Sequence, residues 1–440
     1  MNRLLTSNRT GVAWPWAALW LVWLVGAAGP GRAQVRYLRS PDGGVNGLVT
    51  TVLAAGANWP GRAGQAGLVG SADGSGALPL AEPPALPPAE ERRRLARTWP
   101  AAGRPFALDA RYGRVQINGW DRAEIKVEAE LVARAETPAA ARRTLDALAV
   151  DWLDYDVQTG GVAVATRLGP ALRGRAGGLR YAVHYAVWLP RNTALRVYNT
   201  FGDVALEADW LGPTELAVAY GNLRTARLDG PQNLVRIANG LATIAYVRRA
   251  SIDASYATLR LAAGHTLDLR NNYSDVDVGA VQDVAVHSRY GAVALGRVGS
   301  LRGASGYSRF SVARLDDVLD MALRYCPDFV VRATGPNFRQ ITLDGGYSSI
   351  QLGFAEGAGF RFDVSTEQGQ LLVDPRQVRV LREEHGRHSS DVLGVFGAVG
   401  AAGAAGAAGA SGASGASGAS GARAGSVSVK VRYGTVRFGR

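Results

Sequence analysis

The one segment that gathers metal-ligand residue types is Glu383-Glu384-His385-Gly386-Arg387-His388. Two histidines three apart can share a metal when a helix sets them on one face. No apolar residue recurs here at helical spacing, and glycine-rich sequence follows closely, so no metal is expected. Paired carboxylates are the second candidate, because glycoside hydrolysis needs two of them held across a cleft. Asp275 and Asp277 are two apart in an alternating strand and share its outward face. Asp316, Asp317 and Asp320 fall in a turn between repeats. A sequence displays faces rather than clefts, and solvated surface carboxylates are the expectation. His184, His265 and His287 lie in or beside strands with no acid–base partner nearby in the chain; they read as structural or surface histidines. No glycine-rich phosphate loop leads from a strand into a helix. No serine occupies a nucleophile elbow, and the Gly/Asp calcium repeat of β-rolls is absent. The expectation is a chain that is not an enzyme, with no catalytic, cofactor-binding or metal residues.

The charge balance points no further. The 440 residues carry 49 Lys+Arg and 37 Asp+Glu, a formal net charge of +12, and only Lys126 and Lys430 are lysines. The outward strand positions mix signs, as in Arg114/Gln116, Asn222/Arg224 and Asp275/Asp277, so no basic stripe forms. Arg92-Arg93-Arg94 follows Glu90-Glu91, which offset part of its charge. Nucleic acid is not an expected partner; a weak attraction to anionic envelope surfaces is the most the basicity suggests. The single cysteine, Cys326, rules out a disulfide framework and reads as a buried, inert thiol.

The strands that carry these residues form a repeat. Phe201, Tyr220, Asn239, Tyr256, Tyr273, Tyr290, Tyr307, Tyr325, Tyr347 and Gln368 recur at intervals of 17 to 22, with four successive intervals of 17. Tyr256, Tyr273, Tyr290 and Tyr347 share one form, a small residue next and then apolar residues at +3 and +5, as in Tyr273-Ser-Asp-Val276-Asp-Val278 and Tyr347-Ser-Ser-Ile350-Gln-Leu352. Copies also occur at Tyr112 and Tyr433. An alternating strand precedes most of them, as in Leu216-Ala-Val218-Ala-Tyr220. Two short strands and two turns cannot bury one apolar face alone, but stacking successive units does. The expected fold is mainly β: a parallel β-solenoid (β-helix) of 17–22-residue rungs, behind an N-terminal capping section that contains one helix. An ordinary β-sandwich is the rival, with hairpin turns and less regular spacing. The tyrosines are expected to stack as a ladder that serves packing; a tyrosine-lined sugar platform is the alternative reading.

The domain boundaries follow. Arg3 and Arg9, a charge-free apolar run at 12–28 and the small-residue exit Gly31-Arg32-Ala33 predict a signal peptide over 1–33, with an uncleaved anchor as the alternative. A flexible Gly/Pro-rich linker is expected at 34–94. The capping section at 95–190 has strands and a helix opened by Thr137-Pro138, along which Leu145, Leu148 and Trp152 recur at helical spacing. Solenoid repeats are expected at 191–374, and a flexible insert at 375–425, where glycine falls every third residue from Gly400 to Gly421. The final strands of the solenoid are expected at 426–440.

The segment Tyr112-Gly113-Arg114-Val115-Gln116-Ile117-Asn118-Gly119-Trp120-Asp121, followed by Glu124-Ile125-Lys126-Val127, resembles the opening of the bacterial putative adhesin family, exported β-solenoid proteins of the envelope carried as a domain of unknown function. The resemblance extends over residues 95–374 and 426–440, and its motifs are structural. The resemblance implies an exported β-solenoid of the envelope; the regular repeat without a catalytic constellation adds the expectation of a non-catalytic protein presenting flat faces to envelope glycans or surface proteins. Its expected location is the periplasm, the cell surface or the medium, with no stable membrane span after signal cleavage. The alternatives are a β-helix carbohydrate-active enzyme and a self-assembling envelope scaffold. The resemblance brings no functional residues and no cofactor.

Overall fold

The computed structural model describes residues 89–157, 160–172, 180–397 and 425–439. The expected signal peptide, most of the expected linker and the glycine triplets at 400–421 lie outside these residues. Four strands, β1 (Ala89–Pro100), β2 (Phe106–Arg111), β3 (Val115–Trp120) and β4 (Glu124–Ala135), precede the helix α1 (Pro138–Asp146). Next come β5 (Leu148–Asp156), β6 (Gly161–Leu168) and β7 (Arg180–Pro190). The repeats contain β8 (Leu195–Thr200), β9 (Val204–Leu206), β10 (Thr214–Ala219), β11 (Leu223–Leu228), β12 (Asn233–Ala238), β13 (Leu241–Ser255) and the long β14 (Thr258–Arg324). They continue with β15 (Phe329–Val331), β16 (Gln340–Gly346), β17 (Ser349–Gly353), β18 (Phe360–Glu367) and β19 (Gln370–Leu372). The last four are β20 (Val378–His385), β21 (Ser389–Phe396), β22 (Gly425–Arg432) and β23 (Thr435–Gly439). The chain is mainly β, with one α-helix among the described residues, and its 23 strands belong to one sheet.

Alternation builds the sheet. Along β8, β10 and β12 every second side chain is buried, which places Val197, Leu216, Val235 and Ile252 in one interior column. The strands pair in parallel: Leu195 lies opposite Thr214, Thr214 opposite Asn233, Asn233 opposite Ala250 and Val318 opposite Gln340. These offsets of 19, 19, 17 and 22 residues equal the local spacings of the aromatic positions. One continuous apolar core results. Trp210 is fully buried in it and donates its indole N–H to the Thr193 carbonyl at 3.0 Å. Trp210→Ala is expected to cost about 3–5 kcal/mol, from the cavity and the orphaned carbonyl together. Trp210→Phe should recover most of the packing but not the bond; urea denaturation of the three proteins checks this.

At the N-terminal end β4 runs antiparallel to both β1 and β7, while β6 and β7 lie parallel to β2 and β3. β2 and β3 also pair in parallel with β8 and β9. The segment around Tyr112 is therefore a repeat in its own right, with the antiparallel strands laid over its outer side.

The structure corrects four expectations. The first is the linker, expected to run to 94: β1 begins at Ala89. It is an edge strand in which Trp99 is the one buried large side chain, and a strand solvated on both faces carries no alternation to read. The second is the helix, which ends at Asp146. Leu148 and Val150 alternate toward the core in β5, which pairs with β6, so Leu148 and Trp152 belong to a strand. The third is the insert, expected over 375–425: β20 and β21 form an antiparallel hairpin within it, and β21 pairs with β18 and buries Val392 and Phe396. The fourth concerns the place of the final strands of the solenoid, expected at 426–440 and present there as β22 and β23. β22 lies between β16 and β18, and β23 between β17 and β19, parallel to both neighbours in each case.

Candidate functional site

The aromatic position of every repeat sits in left-handed backbone. Tyr112, Phe201, Tyr220, Asn239, Tyr256, Tyr273, Tyr290, Tyr307, Tyr325, Tyr347, Gln368 and Tyr433 all have φ between 48° and 62°. Side chains other than glycine visit this region at a cost of roughly 1 kcal/mol or more. The corner it makes turns one strand into the next while keeping the hydrogen-bond ladder unbroken. Tyr220 N–H donates to Ala238, Tyr256 N–H to Asn272 and Tyr347 N–H to Arg432, each across to the neighbouring repeat.

The corner throws each side chain outward, onto the ring of the adjacent repeat. Tyr112, Phe201 and Tyr220 stack with centroids 5.1 and 4.9 Å apart. Tyr256, Tyr273, Tyr290, Tyr307, Tyr325, Tyr347 and Tyr433 form a second run, with steps of 4.5 to 5.1 Å and interplanar angles of 1° to 17°. Each such pair adds about 0.5–1.5 kcal/mol beyond the area it buries, enough to offset the strained corner. The order of rings also records the intercalation, since Tyr433 rather than Gln368 stacks on Tyr347. Apart from Tyr112, the rings remain about half exposed, from 38% at Tyr290 to 59% at Tyr256. Their faces are taken up by one another, so a row of ring edges and hydroxyls meets solvent. Inside each run a sugar lying flat finds no free ring face; only rings at the ends of a run keep one side unstacked. Partial desolvation, then the flanking Tyr290 and Tyr256, hold the Tyr273 hydroxyl above the ordinary phenol range.

Beneath the corners the +1 residues make a tight inner line. A Cβ added at Gly202 would lie 1.9 Å from the Gly113 carbonyl oxygen, and one at Gly221 would lie 2.0 Å from that of Gly202. Where this position carries a side chain, hydroxyls join the ladder instead. Ala257 N–H donates to Ser274 Oγ at 3.0 Å and Cys326 N–H to Ser348 Oγ at 3.1 Å. Cys326 is free and fully buried, with Sγ 3.3 Å from the Ser305 carbonyl.

The sequence-derived candidates do not converge. Asp275 and Asp277 are exposed side by side on one strand face, with Ala292 and Ala294 beside them in the next repeat. Asp277 borders a shallow concavity of about 760 Å³ that also holds Glu207, Arg224, Thr243 and Arg260. Glu207 lies four repeats away from Asp277, about 19 Å at the usual strand spacing, too far for a carboxylate pair. A second concavity of about 660 Å³ mixes Arg196, Glu215, Gln232, Arg249, Ser251 and Asp268. Glu215 there accepts from Arg196 at 2.9 Å and from the Tyr198 hydroxyl at 2.7 Å. Desolvation, then the Glu215 carboxylate, push Tyr198 up to about 12. His385 and His388 lie on the exposed β20–β21 hairpin, His385 3.1 Å from Glu383. No group of three or more His, Cys, Asp or Glu suited to a metal occurs among the described residues. His184 accepts the Arg114 N–H at 3.1 Å, and burial holds its pKa below the ordinary value. The three arginines after Glu91 are paired: Arg92 with Glu90, Arg93 with Asp146 and Arg94 with Glu130.

Asp316 takes hydrogen bonds from Arg314 at 2.8 Å and Arg297 at 2.5 Å, and Asp317 from Arg339. Those guanidiniums hold both carboxyls below the usual range, Arg314 first for Asp316 and Arg339 first for Asp317. A depressed folded-state pKa contributes stability that is present above the unfolded value, near 4, and is lost as pH falls through the folded one. Melting temperature should therefore be insensitive to these groups from pH 8 to about 5 and fall below about 4. The Asp317→Asn variant should show a shallower acid limb in the same scan.

No protein-family model matches the chain, and no curated protein does. Among solved structures it is similar to a putative cell adhesion protein from Clostridium sporogenes, at 8% identity over 80% of this chain and 98% of that one, with a TM-score of 0.19. It is similar to a putative adhesin from Parabacteroides distasonis at 8% identity, covering 60% of this chain and 90% of that one, TM-score 0.26. A putative adhesin from Bacteroides fragilis matches at 10% identity over 79% and 97%, TM-score 0.24. These three solved structures are of bacterial proteins described as putative adhesins or as a putative cell adhesion protein.

Proposed function

We propose that the chain is a non-catalytic, exported envelope protein. In this reading its repeats form a parallel β-solenoid, and the exposed line of tyrosine edges, with the polar strand faces beside it, makes contact with glycans or proteins of the envelope. The observation that carries the reading is the tyrosine column itself. A row of hydroxyls and ring edges repeats every 4.5 to 5.1 Å, in register with strands whose outer residues are small, polar and mixed in charge. Tyrosine edges combine apolar area with a hydrogen-bonding tip, which suits a wet contact surface. The parallel offsets support the solenoid, and the basic, apolar and small-residue order at 1–33 supports export. Among the described residues no helix is long and apolar enough to cross a membrane.

The scattered and arginine-paired carboxylates give the carbohydrate-active enzyme no support. End-to-end self-assembly is disfavoured by charged edges: β20 carries Arg379, Arg382, Glu383 and Glu384, and β1 carries Glu90 to Arg94. The test is capture from envelope extract and on a glycan array, using the full chain and a Tyr290→Ser/Tyr307→Ser double variant. Retention by the full chain that falls in the variant is expected. Retention of no partner in either format, or equal retention by both proteins, overturns the reading.

A further inference from the structure

The aromatic column is broken once between its two runs. Tyr220 stacks on Phe201 on one side and Tyr256 on Tyr273 on the other, with interplanar angles of 15° and 1°. Between them stands Asn239, exposed and in the same left-handed corner at φ 54°. The repeat itself is intact there: Asn239 N–H donates to the Ser255 carbonyl at 3.1 Å, and Tyr220 N–H to Ala238 at 2.9 Å. The backbone therefore keeps its step while one ring is missing. Two steps of strand spacing separate Tyr220 from Tyr256, about 10 Å. The facing sides of these two rings have no aromatic neighbour among the described residues.

We propose that this gap is a binding slot for one planar aromatic ring, of the kind a tyrosine or tryptophan side chain of a partner protein presents. One ring in contact with both walls needs about 7–8 Å between them. The rings of the column already run offset, with centroids 4.5 to 5.1 Å apart rather than at face-to-face contact distance. The same offset takes up the rest of the gap, so an inserted ring continues the column at its own spacing. A pyranose is thicker, because its axial hydrogens stand on both faces, and fits less well. The slot rests on the tyrosine column being a contact surface, yet the two ideas fail separately. The column is tested at Tyr290 and Tyr307, and the slot at Asn239.

The experiment is fluorine NMR of 4-fluorophenol with the full chain. Wild type is expected to broaden the line. Asn239→Tyr completes the column, and should cut the broadening about fivefold or more while melting no lower than wild type. Tyr256→Asn removes one wall and should cut it equally; the fold tolerates asparagine at this corner, as position 239 shows. Asn239→Ala leaves the slot open and should keep the broadening. Equal broadening by wild type and Tyr256→Asn, or by wild type and a folded Asn239→Tyr, overturns the proposal. So does broadening of a fluorinated methyl glucoside in place of the phenol.

Discussion

Gly221→Ala is expected to yield no soluble, cooperatively folded protein. The added Cβ would sit 2.0 Å from the Gly202 carbonyl oxygen and 2.6 Å from its carbon. Both are backbone atoms locked in the ladder, so no flexible side chain can move aside. Relief requires the two repeats to part by more than 1 Å, roughly, which breaks hydrogen bonds that define the strand spacing. Gly240 stands in the same relation to Gly221, at 1.9 Å, so the displacement propagates along the stack instead of ending at a loop. The cost should exceed about 4 kcal/mol, a large part of the stability of an ordinary domain. Gly439→Ala is the control, since nothing lies within 4 Å of its added Cβ, and it should stay within about 0.5 kcal/mol of wild type. Soluble yield and urea midpoints decide; a folded Gly221→Ala protein near the wild-type midpoint would show that the stacked corners are looser than drawn.

Removing residues 425–440 is expected to be as severe, although it deletes only the chain's tail. β22 is paired on both edges, with β16 and β18, and β23 joins β17 to β19. Deletion opens the sheet internally and leaves two strand edges facing a gap. It also takes Val427, Val429, Val431, Val436 and Phe438 out of the core, all nearly fully buried. At about 1.5–3 kcal/mol each, their loss rivals the net stability of a domain. An end strand would behave differently, because its loss merely moves the edge by one place. The truncated chain should therefore be insoluble or fail to melt cooperatively, and a synthetic 425–439 peptide supplied during refolding should restore the transition. Cooperative melting of the truncated chain at the full-length temperature would overturn the pairing.

The repeat was legible because one residue type recurs at the one corner that every unit shares. The tyrosine spacing marks the register directly, since an offset of 17 or 19 in sequence becomes an offset of 17 or 19 in pairing. The left-handed backbone beneath the tyrosines was not legible. Tyrosine is no marker of that conformation, and what sustains it is the stack across repeats. The position of β22 was hidden for a related reason: Val427, Val429 and Val431 alternate as any interior strand would, and alternation names a face without naming a neighbour. β20 escaped notice because Arg379, Arg382, Glu383 and Glu384 leave its exposed edge without period. Asp275 and Asp277 were expected on an outward face and are exposed there, but Asp316, Asp317 and Asp320, expected in a turn, lie within β14, and only geometry revealed that Arg297, Arg314 and Arg339 had already claimed Asp316 and Asp317.

The intercalated tail also sets a timetable. Most repeats pair with a neighbour 17 to 22 residues away, a short loop to close, so the stack can grow in chain order as it emerges. β16 cannot finish in that way. Its partner Ser426 follows Gln340 by 86 residues, and the waiting edge stays open while the chain through β21 goes by. β18 meanwhile presents the same open edge from the other side. β22 and β23, made after both of their neighbours, must then slide between two units already formed, like a plank pressed into a closed floor. Folding should show a fast phase for the early repeats and a slow phase for this closure, and it is during that interval that the molecule is most exposed to pairing with a second copy of itself.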